Sequence, residues 1–338
     1  MGRRIATVFG GSGFLGRHLV KRLAGQGYTV RACVRDVESG MHLKPYGNPG
    51  QIILSACNVR NPDMVAKAVV GSDVVFNLVG ILSTWGKQTF SAVHVQGAEN
   101  VARACSDAGI KNLIHVSALG AEEACEAEYG KTKFAGEKAV LEKFPNATIL
   151  RPSIMFGPED SFFNKFAAIM RFTPALPVIG APLIPAVSFE GGKLDVNLFG
   201  EGGAKLQAVY VGDVAQACAN AIDNPDAQGK TFELGGPEVM TFMGIMKRIL
   251  KHTERKRLLV PVATVFARIL GNVIGLLPKP LLTGDQVTML EKNSVVSDGA
   301  LGLKDLGVEP TLADVILPTY LNRFKELKNQ PLHVERRV

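Results

Sequence analysis

The feature that most restricts the fold of this chain stands at its N-terminus. Residues 3–9 (RRIATVF) read as a buried parallel strand and lead into Gly10-x-x-Gly13-x-x-Gly16, and a helical pattern follows over Phe14 to Ala24 with Leu15, Leu19 and Leu23 on one face. Each glycine has a physical reason in a strand–turn–helix context. Gly10 permits the tight turn, Gly13 lets the backbone approach a pyrophosphate, and Gly16 allows the helix to pack closely on the strand. Phe14, Leu15 and Arg17 then open a helix whose N-terminus faces the anion. Gly25 and Gly27 end that helix and a second strand, Tyr28–Arg35, completes a β-α-β unit that predicts dinucleotide binding.

The alternation continues. Strands are expected near 51–56, 73–79, 111–117 and 146–151, with helices over 62–70, 90–108 and 129–144. Strands alternating with helices imply an α/β fold of the Rossmann type, a parallel sheet wound on both faces. After Arg151-Pro152 the texture changes to long loops rich in Pro, Gly and aromatics over 157–205, interrupted by a helix near 161–171, which cannot form a core alone but can cover the carboxyl edge of the sheet. Val209–Val211, a helix over 213–223, a strand over 231–234 and a helix over 241–252 follow. The expected organisation is a nucleotide-binding core over 1–152, completed by segments within 205–236, and a smaller loop- and helix-rich region over 153–338.

The end of the second strand selects the dinucleotide. A site for NAD places Asp or Glu there to bond the ribose 2′-hydroxyl, whereas this chain has Arg31, Val34 and Arg35, with Asp36 one position beyond. Arg35, helped by Arg17 and Lys44, can pair with a 2′-phosphate, so NADPH is the expected cofactor; the competing reading leaves Arg35 solvated and gives the ribose to Asp36. Ser117 ends the strand at 111–117, and Tyr129 and Lys133 lie four positions apart on one helical face. An ammonium beside a phenol can lower its pKa, and a phenolate near a serine hydroxyl can serve as acid or base at a carbonyl.

Taken together, Gly10-Gly-Ser-Gly13-Phe-Leu-Gly16, Asn77-Leu-Val-Gly80, Val93-His-Val-Gln-Gly-Ala-Glu-Asn100, Ser117, Tyr129 with Lys133, and Leu150-Arg-Pro-Ser-Ile-Met-Phe-Gly-Pro158 resemble an extended or atypical short-chain dehydrogenase/reductase over about residues 4–235. Arg151-Pro-Ser-Ile-Met-Phe-Gly-Pro-Glu-Asp160, Phe162-Phe-Asn-Lys-Phe166, Val209-Tyr-Val-Gly-Asp-Val-Ala215 and Leu282-Thr-Gly-Asp-Gln-Val287 extend the resemblance to the accessory-subunit branch of that superfamily found in respiratory complex I and its bacterial relatives. The resemblance implies a tightly held NADPH with a structural role, other complex I subunits as partners, and docking where the peripheral arm joins the membrane. It implies cofactor contacts from Gly10, Gly13, Phe14, Leu15, Gly16, Arg17, Arg35, Asn58, Val79, Tyr129, Lys133 and Pro152, with Ser117, Tyr129 and Lys133 as a retained catalytic set. Asn58 departs from the adenine-contacting Asp common in the superfamily, which weakens that contact. The link from Ser117 to Tyr129 is shorter than in sugar-nucleotide epimerases and carries Glu122, Glu123, Glu126 and Glu128, which disfavour an anionic sugar nucleotide as substrate.

Charge is distributed unevenly. Residues 1–244 carry 23 Lys/Arg against 22 Asp/Glu, and residues 245–338 carry 15 against 9. A nucleic-acid-binding protein usually shows a basic face on its main domain; here that domain is near neutral, so no nucleic-acid partner is expected and a basic tail seeking a membrane or partner is the better reading. Lys247, Arg248, Lys251, Arg255, Lys256 and Arg257 cluster before the apolar segment 258–277, in which Val262, Val265, Phe266, Ile269, Val273, Ile274 and Leu277 share one helical stripe. Pro261, Arg268 and Asn272 argue against a spanning helix. Either the stripe enters a headgroup layer or a partner's groove, with the basic run of 247–257 meeting anionic lipid, or it packs on the chain's own core beside a solvated basic face.

The cysteines, Cys33, Cys57, Cys105, Cys125 and Cys218, show no metal-ligand spacing, so buried thiols and no metal are expected. The N-terminus enters its first strand with no room for a targeting peptide, which suits a peripheral protein on the cytoplasmic face of a bacterial inner membrane, or the matrix side of the mitochondrial one for a processed form. Three functions compete: a cofactor-stabilised structural subunit without independent turnover, an active NADPH-dependent reductase of an unidentified carbonyl, and a nucleotide-sensing regulator.

Overall fold

The computed structural model describes residues 4–190, 193–275 and 282–326. Residue 3, the last two residues of the apolar segment (276–277) and the chain beyond 326 lie outside them. Six parallel strands form in the first half: β1 (Ile5–Phe9), β2 (Thr29–Val34), β3 (Ile52–Ala56), β4 (Val74–Asn77), β5 (Asn112–Val116) and β6 (Thr148–Pro152). Between them run α1 (Phe14–Gly25), α2 (Pro62–Val69), α3 (Gly97–Asp107) and α4 (Glu128–Lys143). Beyond β6 come β7 (Met155–Phe156), α5 (Phe163–Ile169), β8 (Ala175–Ala181), the antiparallel pair β9 (Ala186–Glu190) and β10 (Lys193–Asn197), and β11 (Lys205–Leu206). The chain continues through β12 (Val209–Tyr210), α6 (Val211–Asn220), β13 (Thr231–Leu234), β14 (Met240–Thr241) and α7 (Phe242–Thr253). It closes with β15 (Leu258–Ala263), α8 (Thr264–Ile274), α9 (Gly284–Met289) and α10 (Ala313–Leu321).

The main sheet has the order β13-β6-β5-β4-β1-β2-β3. Its strands are apolar on both sides because both faces are covered. On β1, Ala6 and Val8 join the cluster of Leu15, Leu19 and Leu23 from α1 and Val214 and Cys218 from α6, while Phe9 joins that of Val65, Val101 and Val140 from α2, α3 and α4. The strand order reverses at β1, whose neighbours are β2 on one side and β4 on the other, so the connections diverge there and open a crevice above the carboxyl ends. β13 pairs with β6 in parallel, Thr231 opposite Ile149. Val209 and Tyr210 pair with β7 in a separate small sheet instead.

A second core gathers Phe156, Phe163, Leu176, Ile249, Leu317 and Phe324. The segment over 157–205 thus contributes to a core jointly with α7 and α10. The five cysteines are buried free thiols spread through the molecule.

Two elements differ from the periodicity. The segment over 258–277 is not one helical stretch: Leu258–Ala263 is a strand pairing with β8 in parallel, and the helix begins at Thr264. Val260 and Val262 favour the strand, and Pro261, which lacks a donor, is tolerated because this sheet has only two strands. The helix expected over 90–108 begins as a π turn over Ser91–Gln96 before α3. Helix α4 presses on that turn at Gly136, where any Cβ would collide with the His94 carbonyl.

Candidate nucleotide-binding site

The glycine turn is built as its spacing requires. Gly10 has φ +81°, in the left-handed region, and a Cβ on it would touch Leu78 and Val79 at 3.4 Å. At Gly16 a Cβ would stand 2.6 Å from the Gly11 carbonyl oxygen and closer still to that of Gly10. The Gly13 amide donates to Gly10 O at 3.0 Å, and Gly13 caps α1 with no side chain of its own. The first-turn amides of α1 therefore face the crevice without a competing side-chain acceptor. Leu15 is buried under the turn, and Phe14 lies against Gly157, where a Cβ would meet its ring at 3.3 Å.

Arg35 and Asp36 stand at the far edge of the crevice. The Asp36 carboxylate accepts the amides of Glu38 and Ser39 at 3.1 and 3.2 Å, capping the 3-10 turn that follows β2. Arg35 is exposed and reaches across to the Gln88 side-chain oxygen. Asp36 is thus tied to the backbone and Arg35 to Gln88, and both charged side chains are exposed at the strand end.

The two expected helpers are placed differently. Lys44 donates to the Ile52 carbonyl at 2.8 Å and so stabilises the loop, and Arg17 lies 3.8 Å from Glu159, its buried Nε making no hydrogen bond among the described residues. Arg31 is drawn back to the carbonyls of Ala68 and Val70 at the end of α2. Asn58 accepts the Arg60 amide at 3.1 Å and shapes the turn after β3.

Asn77 ends β4, accepts the Val79 amide at 3.2 Å and donates to His115 Nδ1 at 3.1 Å. A Cβ on Gly80 would lie 3.5 Å from Lys133 Nζ, so the turn after β4 connects the glycine loop to α4. Pro152 ends β6 opposite Leu234, and its carbonyl accepts the Leu119 amide at 2.9 Å.

Ser117, Tyr129 and Lys133 all border this region. Lys133 is buried and donates from Nζ to the Val116 carbonyl at 2.9 Å. Burial pushes its pKa down to about 8, against the opposing pull of Glu137 one turn along. The Tyr129 phenol goes the other way from the sequence expectation: burial, reinforced by the Asp285 carboxylate, pushes it up to about 12, so it is a proton-bearing phenol at neutral pH. Ser117 Oγ is buried and makes no hydrogen bond among the described residues.

Beneath Lys133, Glu137 is 4% exposed and accepts Arg151 Nε at 2.9 Å and Nη2 at 2.6 Å. Opening that pair by removing one partner would strand a buried charge.

Two histidines, not singled out by the sequence reading, complete the site. His94 Nε2 accepts the Ile81 amide at 3.0 Å, which leaves Nδ1 to donate to Thr132 Oγ1 at 3.0 Å. Its ring meets Tyr129 edge-on at 5.3 Å between centroids. His115 stands two residues before Ser117 on β5, its buried Nε2 without a hydrogen bond among the described residues. Burial first, and Lys133 second, push both imidazoles down to about 3. The Val-His-Val-Gln and Leu-Ile-His-Val contexts, each an imidazole inside an apolar run, are the signals that could have found them.

A glycine cradle that excludes side chains, a strand-end arginine and buried unpaired donors along the carboxyl edge of a doubly wound sheet define a dinucleotide-binding protein of the short-chain dehydrogenase/reductase type. The chain belongs to the NAD dependent epimerase/dehydratase family, matched over residues 6–235, and within it to the family of NADH dehydrogenase (ubiquinone) 1 alpha subcomplex subunit 9. The mitochondrial protein of that name from Rattus norvegicus is 37% identical over 309 residues, covering 91% of this chain and 77% of the relative. Two solved structures share the fold. NADPH-dependent quinone oxidoreductase QOR2 of Escherichia coli, complexed with NADPH, superimposes with a TM-score of 0.68 at 18% identity, covering 94% of this chain and 99% of its own. UDP-glucose 4-epimerase of Thermus thermophilus, complexed with NAD, gives 0.66 at 18% identity, covering 95% and 98%. One neighbour holds NADPH and the other NAD, so the shared fold does not choose between them.

Proposed function

We propose that this chain is an NADPH-holding accessory subunit of a respiratory NADH:ubiquinone oxidoreductase, complex I, with a structural or assembly role where the peripheral arm meets the membrane. The kinship with the rat subunit supports the assembly. The observation that carries the docking role is the orientation of α8. Its buried residues are the small Ala267 and Gly271, whereas Val265, Phe266, Ile269, Leu270 and Val273 face outward, Phe266 being 63% exposed.

A helix whose small residues face the protein and whose large apolar residues face outward is the reverse of a core-packing helix, which favours the interfacial alternative. Phe172, at 85% exposure, and Ile184, at 83%, add to the exposed apolar surface of the same half of the chain. Among the described residues no helix is long and apolar enough to cross a membrane, so attachment through α8 would be peripheral.

Four cations of the basic run have partners within the chain. Arg248 pairs with Glu238 at 2.7 Å, Lys251 with Asp314 at 3.3 Å, Arg255 donates to the Phe324 carbonyl at 2.6 Å and Arg257 to that of Met170 at 2.9 Å. Those four cations hold α7 and β15 to the second core, while Lys247 and Lys256 are exposed to solvent.

Gly10, Gly13, Phe14, Leu15, Gly16 and Arg17 would hold the pyrophosphate, and Arg35 the 2′-phosphate. Asn58 and Val79 would border the adenosine half, with Ser117, Tyr129, Lys133 and Pro152 toward the nicotinamide. The buried unpaired donors at Arg17 and Ser117 suit a polar ligand in that crevice. NADPH, when bound, supplies a hydride donor. The chain's own groups hold a proton-bearing phenol at Tyr129 and a Lys133 ammonium bonded to the Val116 carbonyl, beside the place the nicotinamide would take.

The test is to replace Phe266, Ile269 and Val273 with Ser in the full chain and to measure its association with complex I. Loss of association with nucleotide still bound is expected; undiminished association would contradict the docking role. Retention of Ser117, Tyr129 and Lys133 favours a reductase as the second reading, and hydride transfer to a defined carbonyl, abolished by Tyr129→Phe, would establish it.

A further inference from the structure

Helix α4, which carries Tyr129 and Lys133, begins without a capping side chain of its own: Ala127 occupies the N-cap. The cap comes from 157 positions further along the chain. The Asp285 carboxylate accepts the Glu128 amide on Oδ1 at 2.7 Å and the Tyr129 amide on Oδ2 at 3.2 Å. A carboxylate at this position satisfies two donors and opposes the positive end of the helix dipole.

Asp285 is itself held by contacts that reach α8. Thr283 Oγ1 caps α9 through the Gln286 amide at 3.2 Å, and Gln286 donates to the Leu82 carbonyl at 3.3 Å, beside the turn that follows β4. Against α8 the approach is close: a Cβ on Gly271 would stand 2.9 Å from the Thr283 carbonyl carbon, and one on Gly284 would collide with the Asn272 side chain. Arg268 on α8 pairs with Glu291 just past α9. A continuous set of contacts therefore runs from α8 through residues 283–291 to the amide of Tyr129.

We propose that Asp285 is a positioning residue for Tyr129, and that through it occupancy of the nucleotide site stiffens the α8–α9 segment. The inference rests on the reading of the crevice as an NADPH site. Ordering Tyr129 around a bound nucleotide favours the capped start of α4, which favours the placement of Asp285 and of the segment that bears it. Linkage makes the effect reciprocal, so anything that fixes α8 and α9 tightens the nucleotide. Near Tyr129 stand Lys133 and the exposed Glu128 on its own helix, His94 on the π turn, and Asp285; His94 is neutral near pH 7, and the Asp285 carboxylate favours the protonated phenol.

Three measurements on the full chain test this. Asp285→Ala is expected to weaken NADPH binding about ten-fold, the scale of a lost charged cap. Asp285→Asn, which keeps one acceptor but removes the charge, is expected to let Tyr129 ionise at lower pH, read as tyrosinate absorbance against the same variant carrying Tyr129→Phe. In the unmodified chain, NADPH is expected to slow hydrogen exchange over residues 282–292, a measurement that does not depend on any variant folding. Unchanged NADPH affinity in Asp285→Ala, unchanged ionisation in Asp285→Asn, or exchange over 282–292 indifferent to NADPH each overturns the proposal. Failure of the unmodified chain to bind NADPH would overturn the underlying reading of the site instead, and with it this inference.

Discussion

Gly16 is packed against the carbonyl of Gly10 so closely that no side chain can stand between α1 and the turn that precedes it. Gly16→Ala must push the helix away from the loop, at a cost of about 1–3 kcal/mol for overpacking, and should abolish nucleotide binding. Gly25→Ala, at the other end of the same helix with open space around it, should change stability by less than about 1 kcal/mol and leave binding intact. Thermal melts with and without NADPH distinguish the two.

Arg35 and Asp36 make a second prediction. With Asp36 held by the amides of Glu38 and Ser39, Arg35→Ala should weaken NADPH by about 1.5–3 kcal/mol and leave NADH nearly unaffected. Titration with both nucleotides checks this, and an equal loss for the two would remove Arg35 from the 2′-phosphate.

The buried imidazoles predict an acid-labile fold. His94 and His115 are neutral in the folded chain down to about pH 3, whereas unfolded imidazoles protonate near pH 6.5. The unfolded state binds more protons between those values, so stability is full above about pH 6.5 and falls as pH drops toward 3. Each histidine contributes a slope of up to about 1.4 kcal/mol per pH unit. Denaturant midpoints across that window should show the loss, and His115→Gln should flatten it.

On α8 the two faces should respond unequally. Ile269→Ser, at an exposed position, should alter stability by no more than about 0.5 kcal/mol. Gly271→Ala, facing Thr283 at 2.9 Å, should destabilise by about 1–3 kcal/mol. Chemical denaturation of the two variants provides the comparison.

Much of the core was legible from the sequence because its signals are local. The glycine spacing, the apolar strands and the Tyr129–Lys133 interval each depend on residues close together in the chain, and β1 through β6 formed where they were expected. What was not legible depends on distant pairing. Leu258–Ala263 became a strand only because β8 lies beside it, and four cations of the basic run are engaged by Asp314, Glu238 and two carbonyls from elsewhere in the chain. The capping of α4 by Asp285 could not be read locally, since no residue near Ala127 announces it. The motif Leu282-Thr-Gly-Asp-Gln-Val287 was visible, but its task was not.

Purification of the native protein from membranes under mild conditions, with its bound nucleotide and its associated proteins identified together, tests the accessory-subunit assignment most directly. NADPH is expected in near-equal amount to the chain, in a particle containing NADH:ubiquinone oxidoreductase subunits. A chain recovered free of those subunits, or carrying NAD(H) in place of NADPH, would contradict that assignment.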